Sequence, residues 1–290
     1  MRPSNASTSS LLEEISDRLE SIQKNAWGDY DNYPEYKKHD MDALTQLKNS
    51  LQVHAPRCNS RGPIRNLHIA SAMNLPQTTL YLLKIGVPLN SPDSCGYTPL
   101  ILAASKNAFM IVGELLKYGA DIKHRADEEG VMALHMTGGA ESTQLLLAAG
   151  ADPNSLDFGK NTPLHWVAGT PDDNALLSAQ LLLEAGAKVN AINKAGETPL
   201  FRATWTDVNP EMVRLLIAAG ADINHTTPSG DTPLWAAVYS ANPAVIKILL
   251  EHGADPNVWQ AEGLSPLQFA MEQSMPEEII QTLAAYSAQA

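Results

Sequence analysis

Three histidines, His68, His135 and His165, are the side chains of this sequence best suited to bind a metal ion. A zinc site needs three or four such ligands, each about 2 Å from one ion. The three histidines occupy the same position in different units of an internal repeat, so they lie at least about one unit apart. We therefore predict no shared metal ion, and we expect each imidazole to hydrogen-bond to nearby backbone.

The other groups that could do chemistry also lack the spacing that chemistry requires. The acidic run 127–129 has no alternating carboxylates ending in glutamate, so it is not a calcium loop, and a solvated loop tip accounts for it. Cys58 and Cys95 do not form a zinc or disulfide pattern. A phosphate-binding glycine loop, a nucleophile elbow and a His-Glu-x-x-His motif are all missing from the sequence. The sequence therefore predicts a protein that is not an enzyme, with no metal, no cofactor and no small-molecule substrate.

Composition and charge restrict the kind of partner. The chain has 290 residues, of which 44% are hydrophobic and 18% charged, as in a folded soluble protein. It contains no run of about 18 apolar residues and its start lacks a secretory signal, which predicts a cytoplasmic protein without membrane contact. The net charge of −12 disfavours nucleic acid. Residues 62–290 carry 12 basic and 23 acidic side chains, so a basic protein partner would be attracted there.

An internal repeat dominates the sequence from residue 62 onward. The motif Gly-Tyr-Thr-Pro-Leu at 96–100 returns as Gly-Glu-Thr-Pro-Leu at 196–200 and as Gly-Asp-Thr-Pro-Leu at 230–234. A second motif, Gly-Ala-Asp, follows in phase at 119–121, 150–152, 220–222 and 253–255. When the repeats are aligned on the leucine of the first motif, an equivalent leucine occurs seven times, at steps of 30 to 36 residues. These residues are Leu67, Leu100, Leu134, Leu164, Leu200, Leu234 and Leu267.

These motifs resemble the ankyrin repeat, whose period is about 33 residues and whose hallmark is Thr-Pro-Leu-His followed by two alanines. The resemblance implies an all-α fold, an ankyrin-repeat solenoid of stacked helix pairs with hairpin-like fingers. We assign residues 62–290 to this domain. The residues agree with it, since Thr98 can cap a helix that begins at Pro99, and Gly253 suits a left-handed helix end.

Departures from the repeat predict where the stack is irregular. The third repeat loses three residues around 137–140 and the fourth gains three around 170–174, so we expect an irregularity between residues 130 and 180. In the last repeat Tyr286 replaces glycine, as in a terminal cap. An asparagine recurs at the turn position, where it is expected to close the turn, at Asn90, Asn154, Asn190, Asn224 and Asn257.

Residues 1–61 form a predicted N-terminal helical extension. Apolar residues recur at helical spacing over 10–27 and again over 40–53. Two interpretations stay open. The two helices cap the exposed face of the first repeat, because the end of a solenoid needs a cover, or one of them docks on a partner.

The binding site is predicted at positions that the repeat leaves free. In ankyrin proteins, finger tips and inner-helix positions form a concave binding face, and aromatic side chains recur among those positions here. An alternative for Trp205 and Tyr239 is that they pack on each other between repeats, whereas Trp166 and Trp235 are predicted to lie in the core. The predicted partner-binding residues are Tyr97, Lys106, Glu128, Glu129, Phe158, Asn161, Lys194, Glu197, Trp205, Thr206, Asp231, Tyr239, Trp259, Glu262 and Leu264.

The sequence thus predicts a protein–protein interaction module that binds a basic protein on its concave face. By analogy with ankyrin proteins of this build, it would be a bacterial immunity protein that inhibits a toxin, or a host-directed effector. The alternative is a scaffold or regulatory subunit of a larger assembly, with the N-terminal helices as a second docking site. A neighbouring gene for a small basic toxin would favour immunity, and loss of partner binding on deleting residues 1–55 would favour the scaffold.

Overall fold

The computed structural model describes residues 64–93, 95–126, 129–205, 210–258 and 263–288. The predicted N-terminal helices lie outside the described residues, so their role and the domain boundary at residue 61 stay predictions. The chain divides into two compact units, residues 1–133 and residues 134–290.

The first unit contains two helix pairs within its described residues. The first helix of a pair is called the inner helix and the second the outer helix. Inner helices α1 and α3 pack on each other, as do outer helices α2 and α4. The four helices are α1 Ile64–Ala72, α2 Pro76–Lys84, α3 Pro99–Ser105 and α4 Phe109–Lys117.

The second unit continues the same arrangement. Among its described residues, inner helices α6, α8, α10 and α12 pack in sequence, and outer helices α5, α7, α9, α11 and α13 do the same. Each inner helix also contacts the outer helix that follows it. The helices are α5 Ala140–Ala148, α6 Pro163–Ala168, α7 Asp173–Glu184, α8 Pro199–Trp205, α9 Pro210–Ala218, α10 Pro233–Tyr239, α11 Pro243–Glu251, α12 Pro266–Glu272 and α13 Glu277–Ser287.

Hydroxyl caps begin the inner helices, as the sequence predicts. The hydroxyls of Thr98, Thr198 and Thr232 accept a hydrogen bond from the backbone N–H three residues on, at 3.5, 3.2 and 3.3 Å. The following proline has no N–H to leave unpaired in the first turn. Gly253 follows the outer helix α11 with φ of +92°, the left-handed conformation predicted for it.

Between helix pairs, the segments that the structure describes form tight turns, called fingers here. In the finger that begins at Asn193, the backbone N–H of Asn193 donates to the carbonyl of Glu197 at 3.0 Å, and the Asn193 side chain accepts from the Glu197 N–H at 2.9 Å. Asp157 makes the same pair of bonds with Asn161, at 3.0 and 2.7 Å. An Asn or Asp side chain therefore fixes each of these fingers from within.

The predicted irregularity is present. In the third repeat, residues 133–136 form a turn where other repeats have an inner helix. In the fourth repeat, inner helix α6 has only 6 residues, whereas outer helix α7 has 12 and is the longest among the described residues. Residues lost from one repeat and gained by the next thus alter helix lengths, while the packing of neighbouring helices is kept.

The recurrent asparagines join successive repeats, which differs from the predicted role of closing their own turn. The side chain of Asn190 donates to the carbonyl of Gly220 at 3.0 Å and accepts from the N–H of Asp222 at 2.8 Å, both in the next repeat. Asn90, Asn154 and Asn224 make the equivalent pair of contacts, at 2.8 to 3.5 Å. One amide therefore satisfies a backbone acceptor and a backbone donor that follow the outer helix of the next repeat.

Candidate functional site

Four aromatic rings form a continuous stack on the inner helices of the second unit. Centroid distances are 6.0 Å from Phe201 to Trp205, 5.2 Å from Trp205 to Tyr239 and 6.2 Å from Tyr239 to Phe269. The planes of adjacent rings differ by 19°, 8° and 20°, so the rings are nearly parallel. We call these four residues the aromatic ridge. It joins three successive inner helices, α8, α10 and α12.

The two central rings of the ridge are packed and exposed at once. Trp205 keeps 45% of its surface exposed and Tyr239 keeps 62%. The alternative interpretation, that Trp205 and Tyr239 pack on each other between repeats, is thus confirmed, and this packing does not remove either ring from solvent. Phe201 is buried and stacks on Trp205, whereas Phe269 is half-buried. The ridge therefore offers a preformed apolar surface whose side chains have little freedom left to lose on binding.

Hydrogen bonds hold the helices beneath the ridge. The hydroxyl of Ser240 lies 2.8 Å from the carbonyl oxygen of Ala236 in its own helix, 3.1 Å from that of Thr204 and 3.0 Å from that of Trp205. Its one proton can therefore be donated within its own helix or to the end of the neighbouring inner helix. Trp235 is buried and makes a T-shaped contact with Phe269, with 5.1 Å between the ring centroids, and its indole N–H donates to the carbonyl of Val258 at 3.2 Å. The core position predicted for Trp235 is confirmed.

A polar cluster connects the fingers with the inner helices on the same unit. The buried carboxylate of Asp157 accepts from the Trp166 indole N–H at 2.9 Å and from the Asn161 amide at 3.0 Å. The Asn193 amide donates to Asn161 at 2.8 Å and to Glu197 at 2.8 Å. Trp166 is half-buried, so the prediction that it lies in the core is only partly right: its indole N–H bonds to this buried carboxylate, while part of its side chain stays exposed.

An arginine extends the cluster toward the ridge. The Arg202 guanidinium lies 3.7 Å from the carboxylate of Glu197 and is 43% exposed. Gly169 occupies the position that Trp205 and Tyr239 occupy in the next two repeats. A Cβ added there would lie 3.8 Å from Nε of Arg202, so the arginine side chain lies over that glycine. The inner surface therefore changes from charged to aromatic between α6 and α8.

The structure separates the predicted partner-binding residues into three groups. Asn161 and Glu197 hydrogen-bond within the polar cluster, so each has a structural role, and partner contact by them stays a prediction. The second group is exposed or half-buried and consists of Tyr97, Lys106, Glu129, Phe158, Lys194, Trp205, Asp231, Tyr239 and Leu264. The third group lies outside the described residues and consists of Glu128, Thr206, Trp259 and Glu262.

Sequence reasoning missed several residues that build the surface. Phe201 and Phe269 extend the ridge at both ends, Ser240 contacts the end of the neighbouring inner helix, and Arg202 borders the ridge. Phe269 and Arg202 share one repeat position, two residues after the aligned leucine. Comparing that position across repeats would have found them, because it lies one helical turn before Trp205 and Tyr239 on the same helix face.

The histidines bind backbone, as predicted from their spacing. A ring nitrogen of His68 lies 3.0 Å from the carbonyl oxygen of Tyr97, and one of His135 lies 3.1 Å from that of Ser155. His165 uses both nitrogens, with Nδ1 3.1 Å from the N–H of Thr162 and Nε2 3.1 Å from the carbonyl oxygen of Glu197. Among the described residues, no group of three His, Cys, Asp or Glu side chains is placed to hold a metal ion.

We expect His165 to make stability depend on pH. Burial lowers the pKa of His165, because the charged imidazolium would lose its hydration. The unfolded chain, where the pKa is about 6.5, then binds the proton more readily, so stability falls as the pH drops through that value. The measurement is the free energy of unfolding in urea at about pH 7.5 and about pH 5.5 for wild type and His165→Gln.

Glutamine is the matched replacement for this histidine. Gln268 occupies the same repeat position, and its side chain accepts from the Ser265 N–H at 2.9 Å, as His165 accepts from Thr162. The wild type should lose more stability on acidification than His165→Gln. Equal losses in the two proteins would contradict the prediction, since other titrating groups are common to both.

Comparisons with known proteins identify the family. The family model for ankyrin repeats (3 copies) matches residues 67–155, 131–227 and 206–290, well over half of the chain. The chain belongs to the ankyrin-repeat family. The predicted all-α ankyrin-repeat solenoid is confirmed by these matches and by solved structures. Ankyrin repeats are protein–protein interaction modules, and the family is known as a non-catalytic scaffold.

Solved structures of ankyrin domains share this fold. The human ASB11 ankyrin repeat domain superimposes with a TM-score of 0.67 at 24% identity, covering 76% of this chain and 96% of that one. The ankyrin repeat domain of Bcl-3, a member of the IkappaB protein family, gives a TM-score of 0.58 at 26% identity, covering 76% and 97%.

Sequence relatives match only parts of the chain. An ankyrin repeat protein of fowlpox virus (strain NVSL) is 31% identical over 136 residues, 34% of this chain and 28% of that protein. Human neurogenic locus notch homolog protein 2 is 31% identical over 112 residues, 32% of this chain and 4% of that protein. Zygote-specific protein 3 of Chlamydomonas reinhardtii is 40% identical over 73 residues, 25% of this chain and 20% of that protein. The chain thus spans about a quarter or less of these relatives. No helix among the described residues of this ankyrin-repeat protein is long and apolar enough to cross a membrane.

Proposed function

We propose that this protein is a cytoplasmic, non-catalytic binder that forms a stoichiometric complex with a basic protein partner. The inner-helix face of residues 134–290 is the binding surface, and the aromatic ridge is its centre. A role as an immunity protein that inhibits a basic toxin, or as a host-directed effector, would use such a surface. The single observation that carries the proposal is the pair of stacked and exposed rings, Trp205 and Tyr239.

The ridge supports the proposal because of how interfaces gain affinity. Tryptophan and tyrosine are enriched among the residues that dominate binding, and each contributes about 2 kcal/mol or more when a partner buries it. Such residues are held by well-packed neighbours and stay accessible to a partner. Trp205 and Tyr239 have both properties, since neighbouring rings pack against them and solvent still reaches them. Packing within the chain alone does not require two large rings to stay this exposed.

The charge distribution supports a basic partner. Residues 134–290 carry 6 basic and 17 acidic side chains, a net charge of −11, whereas residues 1–133 carry 14 and 15, a net charge of −1. Almost all of the net charge therefore belongs to the unit that carries the ridge. A charge of this size attracts positively charged proteins and raises their rate of association, most strongly at low ionic strength.

A pull-down with the double variant Trp205→Ala, Tyr239→Ala tests the proposal. Purified full-length wild type and variant are incubated with a lysate of the source cells, and bound proteins are identified by mass spectrometry. We expect the wild type to retain at least one basic protein, in an amount equal to its own, and we expect the variant to lose that protein. Thermal unfolding of both proteins establishes that the variant is folded.

Phe109→Ala is the matched control for this experiment. Phe109 is 46% exposed, almost the same as Trp205 at 45%, but it lies at the start of outer helix α4 in the other unit. The control should retain the partner. If the folded double variant retains every protein that the wild type binds, the inner-helix face is not the binding surface and the proposal is wrong.

A further inference from the structure

Resting on the function proposed above, we infer that the partner contacts the aromatic ridge with an amphipathic α-helix. An aliphatic stripe on that helix lies across Trp205, Tyr239 and Phe269, and its flanking lysine or arginine side chains face carboxylates of this chain. The inference names the chemistry and the shape of the contacting element.

The spacing of the rings favours a helix over an extended strand. The exposed part of the ridge has steps of 5.2 Å from Trp205 to Tyr239 and 6.2 Å from Tyr239 to Phe269. An α-helix rises about 1.5 Å per residue, so side chains at i, i+3 and i+7 advance by about 4.5 Å and then about 6.0 Å, close to the two ring steps. Side chains on one face of a strand advance by about 6.7 Å, which exceeds both steps. A helix therefore keeps register with three successive rings.

The exposed surface of the ridge decides which groups of the partner can contact the rings. Each central ring has two aromatic neighbours, Phe201 and Tyr239 for Trp205, and Trp205 and Phe269 for Tyr239. The large part of Trp205 and Tyr239 that stays open to solvent is mostly apolar ring, and such a surface suits aliphatic and methionine side chains. The ridge thus favours an apolar stripe.

Carboxylates are then the groups that receive the partner's basic side chains. Glu272 is exposed and continues the row of Trp205 and Tyr239, since it holds the same position in the last inner helix. The net charge of −11 on residues 134–290 adds a wider attraction. The same charge disfavours a second copy of this chain as the occupant, because two surfaces of like sign would meet.

The test uses three synthetic peptides of about 15 residues, a length that forms a helix only marginally until bound. The first has leucines at helical spacing with lysines elsewhere. The second has the same composition in strict alternation, which suits a strand. The third is the first with glutamine in place of lysine. Fluorescence anisotropy measures the affinity of each peptide for four full-length proteins: the wild type, the double variant Trp205→Ala, Tyr239→Ala, and the single variants Glu272→Gln and Phe109→Ala. Light scattering determines the oligomeric state of each protein.

We expect the helical leucine–lysine peptide to bind about tenfold tighter than each of the other two peptides. The double variant should bind it about tenfold more weakly and Glu272→Gln about threefold more weakly, while Phe109→Ala binds it as the wild type does. Glu272→Gln changes only an exposed side chain, so its result does not depend on how well the double variant folds.

Several outcomes would overturn the inference. Tighter binding of the alternating peptide, with the same dependence on Trp205, would leave the proposed function standing and show that the element is a strand. If the glutamine peptide binds as tightly as the helical leucine–lysine peptide, basic side chains on the partner are not needed. Affinity unchanged in the double variant would place the peptide elsewhere, and the pull-down then decides the proposed function separately. If the wild type is a dimer and the double variant is a monomer, a second copy of this chain occupies the aromatic ridge.

Discussion

Replacing Gly196 with alanine is expected to lower the free energy of unfolding by about 3 kcal/mol. Gly196 has φ of +83°, and a left-handed conformation costs an alanine about 1 kcal/mol. A Cβ there would also lie 2.2 Å from Cδ and 3.0 Å from Cγ of Pro228, the ring of the next finger. Relieving that overlap must move a finger, and overpacking of this kind costs about 1 to 3 kcal/mol. Urea unfolding of the full chain measures the sum.

Gly220→Ala separates the two contributions. Gly220 has φ of +88°, nearly the same conformation, but a Cβ there meets no atom within 4 Å. Its replacement should cost only about 1 kcal/mol. The variant Pro228→Ala should restore part of the loss in a Gly196→Ala background, because it removes the overlapping ring. Equal costs for Gly196→Ala and Gly220→Ala would show that the fingers are free to separate at this point.

The fold could be predicted from the sequence because its signals are local and repeated. A hydroxyl cap followed by proline fixes where an inner helix begins, and a glycine with positive φ fixes where an outer helix ends. Both signals act within a few residues, so they are readable without knowing the tertiary structure. The irregular third and fourth repeats were predictable for the same reason, since an insertion or a deletion changes the number of residues between two landmarks.

The candidate site was only partly predictable, because it depends on which side chains meet across repeats. Trp205 and Tyr239 stand out by residue type, and the sequence left open whether they pack or bind. The structure shows that they stack and stay exposed. The ends of the ridge, Phe201 and Phe269, were missed because each lies at a different repeat position from the central rings. Stacking depends on the direction of each side chain, which a one-dimensional pattern does not contain.

The polar cluster shows the same limit in another form. Asn161 and Glu197 lie at positions that the repeat leaves free, yet their side chains bond to Asp157 and Asn193. A repeat motif tells which positions are constant in a family, and it is silent about polar contacts particular to one chain. Neighbouring fingers are therefore fixed to each other by residues that the motif leaves free, and this fixing positions the surface beside the ridge.

Replacing Asp157 with alanine is expected to destabilise the second unit by about 3 kcal/mol. The Asp157 carboxylate is 6% exposed and accepts from the backbone N–H of Asn161 at 2.7 Å and from the Trp166 indole at 2.9 Å. A hydrogen bond to a charged group contributes about 1.5 to 3 kcal/mol, and alanine would leave both donors without this acceptor. The measurement is the free energy of unfolding in urea for the full chain.

Asp157→Asn distinguishes the two bonds. Asn193 occupies the equivalent place in the next finger and makes the same side-chain bond to backbone, so asparagine should keep the turn of residues 157–161. Because its side-chain oxygen faces the backbone N–H of Asn161, its NH₂ group faces the Trp166 indole N–H, and losing that bond should cost about 1 to 2 kcal/mol. In that background Trp166→Phe should add little further loss, because the bond is already absent. A full additional loss from Trp166→Phe would show that the indole is held by its packing, and that the carboxylate does not connect finger and inner helix.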